Sequence, residues 1–596
     1  MSRERPLLQP LGYERDENGG CRLRSVSLTG TVARSRGRFA NSLTQLCLGL
    51  TETLSYTSMR FWGLLMLGFG MLSVLLHYAN DYLNGVPVST SVIVLSIALS
   101  ALGLLFSFFD KPIAIAFQDF ELTDYIFFEF FCIKRMHRAG SARVIKPIFG
   151  LVIGFMLAAF GVIVPMWTIV LVFGVFLYLF LTFLTPEFSY FAIFLIMPYL
   201  PVIPVSEWIL AGLVLTTLIS FIIKVALGKR VYNLEAYDVL IGLFLVLILI
   251  SGIFVKGIES FEGSLVILLF AMGYVLTSSM VSNRRLAEGV INAVVISAMP
   301  VAAFAVYQSV CEILAGGIGA FSGVSGTFNR PTDLAAYLLV AAAFSVYFAT
   351  VRKRAGRVAY ILVLVLLLLG MEATMCAWAF VCALLGLFAY GAARLRRGSS
   401  VLIFLIALLP SVLVFMSGDV LRFLDNVPVI STLSLGEFGE RWQHSLAMLR
   451  DNLWLGVGMG SDSFSVEYAG YTDGTVYSDS GNLFLEIGCE AGVLALAAFL
   501  LLFIFRLSHR SVYRRYLRDA RLDRMCACVT AALVILLSFG ALNYLWSDMI
   551  SNYLFWCVFA IGSPVMRIAR ADHDAMTAYY SDERSFDSSS VDISLV

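Results

Sequence analysis

Arg441 and His444 stand three residues apart in Gly439-Glu-Arg-Trp-Gln-His-Ser-Leu-Ala-Met-Leu-Arg-Asp451. That stretch has the pattern of an amphipathic helix, so the two side chains share one face. A guanidinium there could grip a pyrophosphate through paired hydrogen bonds, while the imidazole could accept a proton from a sugar hydroxyl. The plainer alternative is the solvated face of a surface helix. Arg330 offers a second cation in Gly323-Val-Ser-Gly-Thr-Phe-Asn-Arg-Pro-Thr-Asp-Leu-Ala-Ala-Tyr337. Flexible glycines precede Pro331, and Thr332 or Asp333 can cap the helix that follows, leaving Arg330 just outside it. A helix N-terminus beside an arginine suits phosphate oxygens, although an ordinary capped turn with an interfacial arginine has the same pattern.

Glu486 and Glu490, four residues apart, share a face in Asp479-Ser-Gly-Asn-Leu-Phe-Leu-Glu-Ile-Gly-Cys-Glu-Ala-Gly492. Carboxylates that enter an apolar run are costly, so acid–base catalysis, proton coupling and a buried hydrogen bond all compete for them. The run Gly456, Gly458, Gly460 follows no predicted strand and lacks a phosphate-binding lysine, which argues against a nucleotide loop. The ten cysteines lie mostly within apolar runs and have no zinc-type spacing, so neither a disulfide framework nor a metal site is expected.

The elements that must position these residues are set by composition. Of 596 residues, 59% are hydrophobic and 14% charged, against about 25% charged in a soluble domain. Apolar runs of about 20 residues recur from Trp62 to Met566 without the alternation of a β-barrel, which predicts an all-α polytopic membrane protein. The runs give about sixteen transmembrane helices, or fourteen if two short candidates, Val358 to Met371 and Met375 to Tyr390, are miscounted. No cleavable signal peptide is expected, because the first apolar run starts near Phe61, behind a basic tail.

Basic residues fall on alternate loops: Lys134 to Lys146, Lys229 and Arg230, Arg284 and Arg285, Arg352 to Arg357, Arg394 to Arg397, and Arg506 to Arg524. By the positive-inside rule both termini are cytoplasmic. The expected organisation is a disordered basic tail over residues 1–60 and a helical membrane body over 61–417, with a small external loop near 315–332. A large external loop over 418–483, C-terminal spans over 484–570 and a disordered cytoplasmic tail over 571–596 complete it. The large loop carries nine acidic residues against three arginines. Nothing in the charge pattern points to a nucleic-acid partner.

Around these segments the chain resembles the O-antigen ligase and polymerase superfamily, integral membrane enzymes that build bacterial surface polysaccharides from lipid-linked sugars. Gly326-Thr-Phe-Asn-Arg-Pro-Thr-Asp-Leu-Ala-Ala-Tyr-Leu338 is similar to the family's Gly-Thr-Phe turn with a Pro before a span. Trp442 through Asp451 to Leu455-Gly-Val-Gly458 resembles its Trp, acidic and Gly-x-Gly pattern, and Asn482-Leu-Phe-Leu485 with Glu490-Ala-Gly492 its return into the membrane. The chain departs where the family has a histidine before that Asn, here Gly481. It departs again at the family's Ser-Arg pair, here Thr374 and Met375, and the family's loop arginine falls on Phe438, with Arg441 one turn further on.

The resemblance implies an inverting transfer of glycan from undecaprenyl pyrophosphate to a sugar or other hydroxyl acceptor at the outer face of the plasma membrane. It requires no cofactor. Arg330 and Arg441 would bind the pyrophosphate, and His444 or Glu486 would be the base. Expected partners are the lipid-linked oligosaccharide, membrane lipids, and envelope glycosyltransferases or flippases. Two alternatives are a non-catalytic scaffold in envelope assembly, favoured by Gly481 and Met375, and a transporter of lipid-linked oligosaccharide, for which no internal repeat is evident.

Overall fold

Apolar runs in lipid must satisfy their backbone internally, and helices account for nearly all of the chain described. The computed structural model describes residues 13–15, 21–23 and most of 57–591, excluding chiefly 116–144 and 422–434. Most of the basic tail lies outside the described residues, as do Lys134, Arg135, Arg138, Arg143, Lys229, Arg230, Arg396, Arg397, Asp419, Arg422, Asp425 and Asp473. The helices are α1 Met59–Asn84, α2 Thr90–Ser107, α3 Ile148–Ile163, α4 Met166–Leu184, α5 Pro186–Ile196 and α6 Ser206–Ala226. They continue with α7 Ala236–Phe254, α8 Gly257–Met280, α9 Arg284–Gly316, α10 Pro331–Val351, α11 Arg354–Glu372 and α12 Ala377–Arg394. The remainder are α13 Ser399–Leu408, α14 Leu435–Asp451, α15 Ser461–Tyr468, α16 Leu483–Tyr513, α17 Ala520–Gly540 and α18 Met549–Val591. One short antiparallel pair joins Tyr13–Arg15 to Cys21–Leu23.

Eleven of the described helices are long and apolar enough to cross a membrane, and five shorter apolar helices accompany them. The chain divides into two compact units, one of residues 27–191 and 219–228, the other chiefly of 192–218 and 229–596. Within the first, α1 packs on α2 and α3 through small residues. A Cβ on Gly103 would stand 2.5 Å from the Leu67 backbone nitrogen, so only glycine permits the approach.

The second unit holds all of the expected site residues. Its most enclosed helices are α17 and α18, whose membrane windows are 89% and 94% buried, whereas α11 is only 17% buried and turns its apolar side chains outward. Aromatic rings lock the middle: Phe499 of α16 lies 5.4 Å from Phe244 of α7 and 5.5 Å from Trp546, which itself sits 5.7 Å from Trp556 of α18. Basic side chains clasp the backbone at one end of this unit. Arg524 donates to the Thr350 carbonyl at 2.6 Å, Arg567 to that of Ser278, and Arg284 pairs with Asp519 at 2.8 Å. This is the end that the loop charges assign to the cytoplasm.

Candidate functional site

The return of the chain into the helical body is a broken helix. α16 is interrupted at Gly492, whose φ of 83° is left-handed and whose missing Cβ leaves room for the Trp454 carbonyl. The break frees backbone groups, and the glycine-rich turn after α14 takes them up. Val457 N–H donates to the Cys489 carbonyl at 2.8 Å and Gly458 N–H to that of Glu490 at 3.1 Å, while Val493 N–H reaches Leu453 at 2.9 Å. Met459 N–H donates to Ser260 Oγ at 2.8 Å and Gly460 N–H to Glu490 Oε1 at 2.8 Å. Every amide from Val457 to Gly460 is therefore committed inside the protein, so this turn is a brace for the broken helix and has no cradle to offer a phosphate.

The two carboxylates on α16 differ in their partners. Glu490 is fully buried; Oε1 takes the Gly460 amide and Oε2 the Tyr544 hydroxyl at 3.1 Å. Burial, then the carboxylates of Glu490, Glu486 and Asp479, push the Tyr544 phenol well above its usual range, which keeps it a donor. Glu486, equally buried, receives the Ser480 amide on Oε2 at 2.5 Å, and its Oε1 has no hydrogen-bond partner. Asn482 caps the helix, its Oδ1 accepting from the amides of Phe484 at 2.9 Å and Leu485 at 3.0 Å, and ties it to the Ala541 carbonyl at 2.6 Å.

α14 lays Trp442, Ser445 and Met448 inward, which turns Arg441 toward the segment leading into α16. Arg441 Nε donates to the Asp479 carbonyl at 2.6 Å and its NH2 group bonds the same carbonyl and, at 2.5 Å, Asp479 Oδ1. The guanidinium lies 4.6 Å from the Tyr477 ring centroid. Asp479 also accepts the Gly481 amide at 2.8 Å. Gly481, with φ of 70°, faces Arg441: a Cβ there would stand 3.2 Å from NH1 and 3.0 Å from Phe438. His444, half-buried, meets Tyr468 edge to face at 6.2 Å, and Tyr468 meets Tyr477 at 5.8 Å. Aromatic rings thus connect His444 to Arg441. Burial pushes the Tyr468 phenol up to about 12.

Arg330 occupies a different setting. It is itself the N-cap residue of α10, with Pro331 at the first helical position and no side-chain capping bond, so neither Thr332 nor Asp333 caps the helix. Its extended backbone puts the side chain at the rim of a cavity of about 250 Å³, whose polar lining includes Glu207, Asn329, Asp333, Ser547 and Asp548. The guanidinium reaches Ser547 Oγ at 3.4 Å. Asp333 is 6% exposed in the first turn of α10, where the helix dipole favours a carboxylate. Burial raises Asp548 above the ordinary carboxylate value, against the opposing pull of Ser551 and Arg330. Asp333 also lies within electrostatic reach of Asp479, which connects the cavity to the Arg441 cluster.

The fold therefore gathers Arg441, Glu486 and Glu490 around Asp479, with His444 linked to them through tyrosines and Arg330 in the adjoining cavity. Asp333 entered the sequence reading only as a cap, and Asp548 and Tyr544 not at all. Their only sequence signal is a polar residue at the end of an apolar run. Met375, at the family's arginine position, is 57% exposed with a left-handed φ of 51°. The glycine loop docks beside it, Val324 N–H donating to the Ala373 carbonyl at 3.0 Å. Among the described residues, no group of three or more His, Cys, Asp or Glu could hold a metal ion. Residues 359–500, from α11 into α16, match the family model for O-antigen ligase. No curated protein matches the chain.

Proposed function

We propose, with the O-antigen ligase domain and its multi-pass membrane setting as premise, that the protein transfers glycan from undecaprenyl pyrophosphate to a hydroxyl acceptor at the outer face of the plasma membrane. The resemblance read from the sequence to the O-antigen ligase and polymerase superfamily is borne out by that domain, and the domain is the observation that carries this reading. In the transfer, the acceptor oxygen attacks the anomeric carbon as the bond to the pyrophosphate breaks, and the acceptor's proton passes to a base. The leaving group gains negative charge, which arginine stabilises more strongly in the transition state than in the ground state.

Arg330 is the exposed cation of the pair, at the mouth of a polar cavity, and is assigned to the pyrophosphate. Arg441 already spends Nε and NH2 on Asp479. Its role is to hold the segment from Tyr477 to Gly481 and to offer its NH1 edge to the same leaving group. Of the two candidate bases, His444 is half-buried, whereas Glu486 is sealed from solvent, so exposure favours His444. Asp333 and Asp548 provide acceptors for sugar hydroxyls within the cavity. The sequestering of Arg441, together with Gly481 and Met375 at the family's histidine and arginine positions, favours one second reading, a non-catalytic scaffold in envelope assembly.

The size distribution of surface and undecaprenyl-linked glycans tests both, in cells carrying wild type, a deletion or Arg330→Ala at equal abundance. Single repeat units accumulating on the lipid in the deletion and in the variant indicate polymerase chemistry, and full-length lipid-linked chains indicate ligase chemistry. A glycan defect in the deletion alone would leave the scaffold reading.

A further inference from the structure

At the opposite end of the second unit, four helix ends surround a cavity of about 420 Å³ lined by Ala349, Thr350, Arg357, Tyr390, Arg394 and Arg524. Three of its six lining residues are arginines, and they come from three different helices: Arg357 from α11, Arg394 from α12 and Arg524 from α17. Arg524 is fixed by its 2.6 Å bond to the Thr350 carbonyl, and Arg394 lies 6.0 Å from the Tyr390 ring centroid. Asp523 is the acidic neighbour, acting on Tyr390 together with Arg394 and Arg524. The starts of α11 and α17 and the ends of α10 and α12 meet here, so their dipoles largely cancel and the guanidinium groups set the sign of the field.

We propose that this cavity binds the phosphate group of an anionic membrane lipid. Three guanidinium groups converging on one space match phosphate oxygens, and nothing in the transfer chemistry at the other end uses them. The cavity adjoins surfaces suited to acyl chains. On α11, Val358, Ile361 and Leu362 are 56%, 45% and 64% exposed, directly after Arg357, and on α12 Leu387 and Phe388 are 65% and 67% exposed. A headgroup seated among the arginines would leave its chains against those side chains. This end is the one the loop charges assign to the cytoplasmic leaflet, where basic pockets between helices recruit anionic headgroups.

Native mass spectrometry of the full-length protein in mild detergent reads the occupancy. The probes are phosphatidylglycerol, phosphatidylcholine and inorganic phosphate, each added alone. Wild type should retain phosphatidylglycerol in preference to phosphatidylcholine. Arg357→Gln with Arg394→Gln should lower that retention about tenfold or more, whereas Arg357→Lys with Arg394→Lys should keep most of it. Lys353→Gln with Arg354→Gln, outside the cavity, should change it little. Gln-sensitive binding of phosphatidylglycerol identifies a lipid headgroup. Gln-sensitive binding of inorganic phosphate without lipid preference would uphold the phosphate site and overturn the lipid as its source. Equal retention of both lipids with no phosphate binding, or equal loss in the Lys353 and Arg354 variant, would overturn the proposal.

Discussion

Arg441 and Arg330 have the same chemistry and opposite surroundings. Arg441 is enclosed, with its side chain 17% exposed against an Asp479 side chain 10% exposed, and its bonds stay within the protein. Arg330 is exposed, holds Ser547 at 3.4 Å and borders a cavity whose carboxylates are not hydrogen-bonded to it. A guanidinium that commits Nε and NH2 to a carbonyl and a carboxylate has only its NH1 edge to offer a substrate, while one at a cavity mouth keeps more of its donors for whatever enters. Type and position in the sequence made the two look alike, and partners made them different.

Removing each arginine should separate stability from chemistry. Arg441→Ala strands the Asp479 carboxylate in a site with little solvent, which costs about 3–5 kcal/mol. The expected outcome is a large drop in the melting temperature of the detergent-purified protein and in its abundance in the membrane. A double-mutant cycle with Asp479→Ala should recover part of that loss; full additivity would mean that the pair is not coupled. Arg330→Ala should change the melting temperature far less than Arg441→Ala does and slow glycan transfer about 10²–10³-fold, the usual effect of deleting one donor to a developing charge. If transfer persisted at wild-type rate in Arg330→Ala, the cavity would no longer be the place for the pyrophosphate.

Smaller changes probe how tightly the enclosed region is braced. Tyr544→Phe deprives Glu490 Oε2 of its donor in a buried site, at a cost of about 1–3 kcal/mol seen as a lower melting temperature. Gly481→Ala places a Cβ where φ is 70°, 3.0 Å from Phe438 and 3.2 Å from Arg441. About 1–2 kcal/mol of destabilisation should follow, because an L residue in that conformation is strained before any contact is counted.

The same contrast separates what the sequence could and could not tell. Hydropathy and the alternation of basic loops pointed to a polytopic helical protein, because lipid solvation acts on each run by itself. The spacing of Glu486 and Glu490 put them on one face of a helix, yet only Glu490 is fully bonded, since its partners come from Gly460 and Tyr544. Local periodicity carries no information about partners that distant. The glycines at 456, 458 and 460 argued against a nucleotide loop by what they lacked, and the structure gives the positive reason, their use in bracing the break at Gly492. Asp548 was invisible for a similar reason: its importance comes from Arg330 and Asp333, more than 200 residues earlier in the chain.

Asp548 offers the finest test of the open region, through pH. Burial raises its folded-state value above the 3.8 of an ordinary aspartate. Between 3.8 and the raised value the folded protein binds more protons at this site than the unfolded chain does, so this contribution to stability declines as pH rises across that window. Asp548→Asn should remove its share of the decline, making the plot of melting temperature against pH less steep above about 4. Arg330 opposes the effect of burial by favouring the charged carboxylate. Arg330→Ala should therefore widen the window, extending the decline to higher pH, and adding Asp548→Asn should remove the part of that extension that Asp548 contributes. An unchanged pH profile in Arg330→Ala would show that the two side chains are screened from each other, and Arg330 would then meet an incoming pyrophosphate without first giving up a carboxylate neighbour.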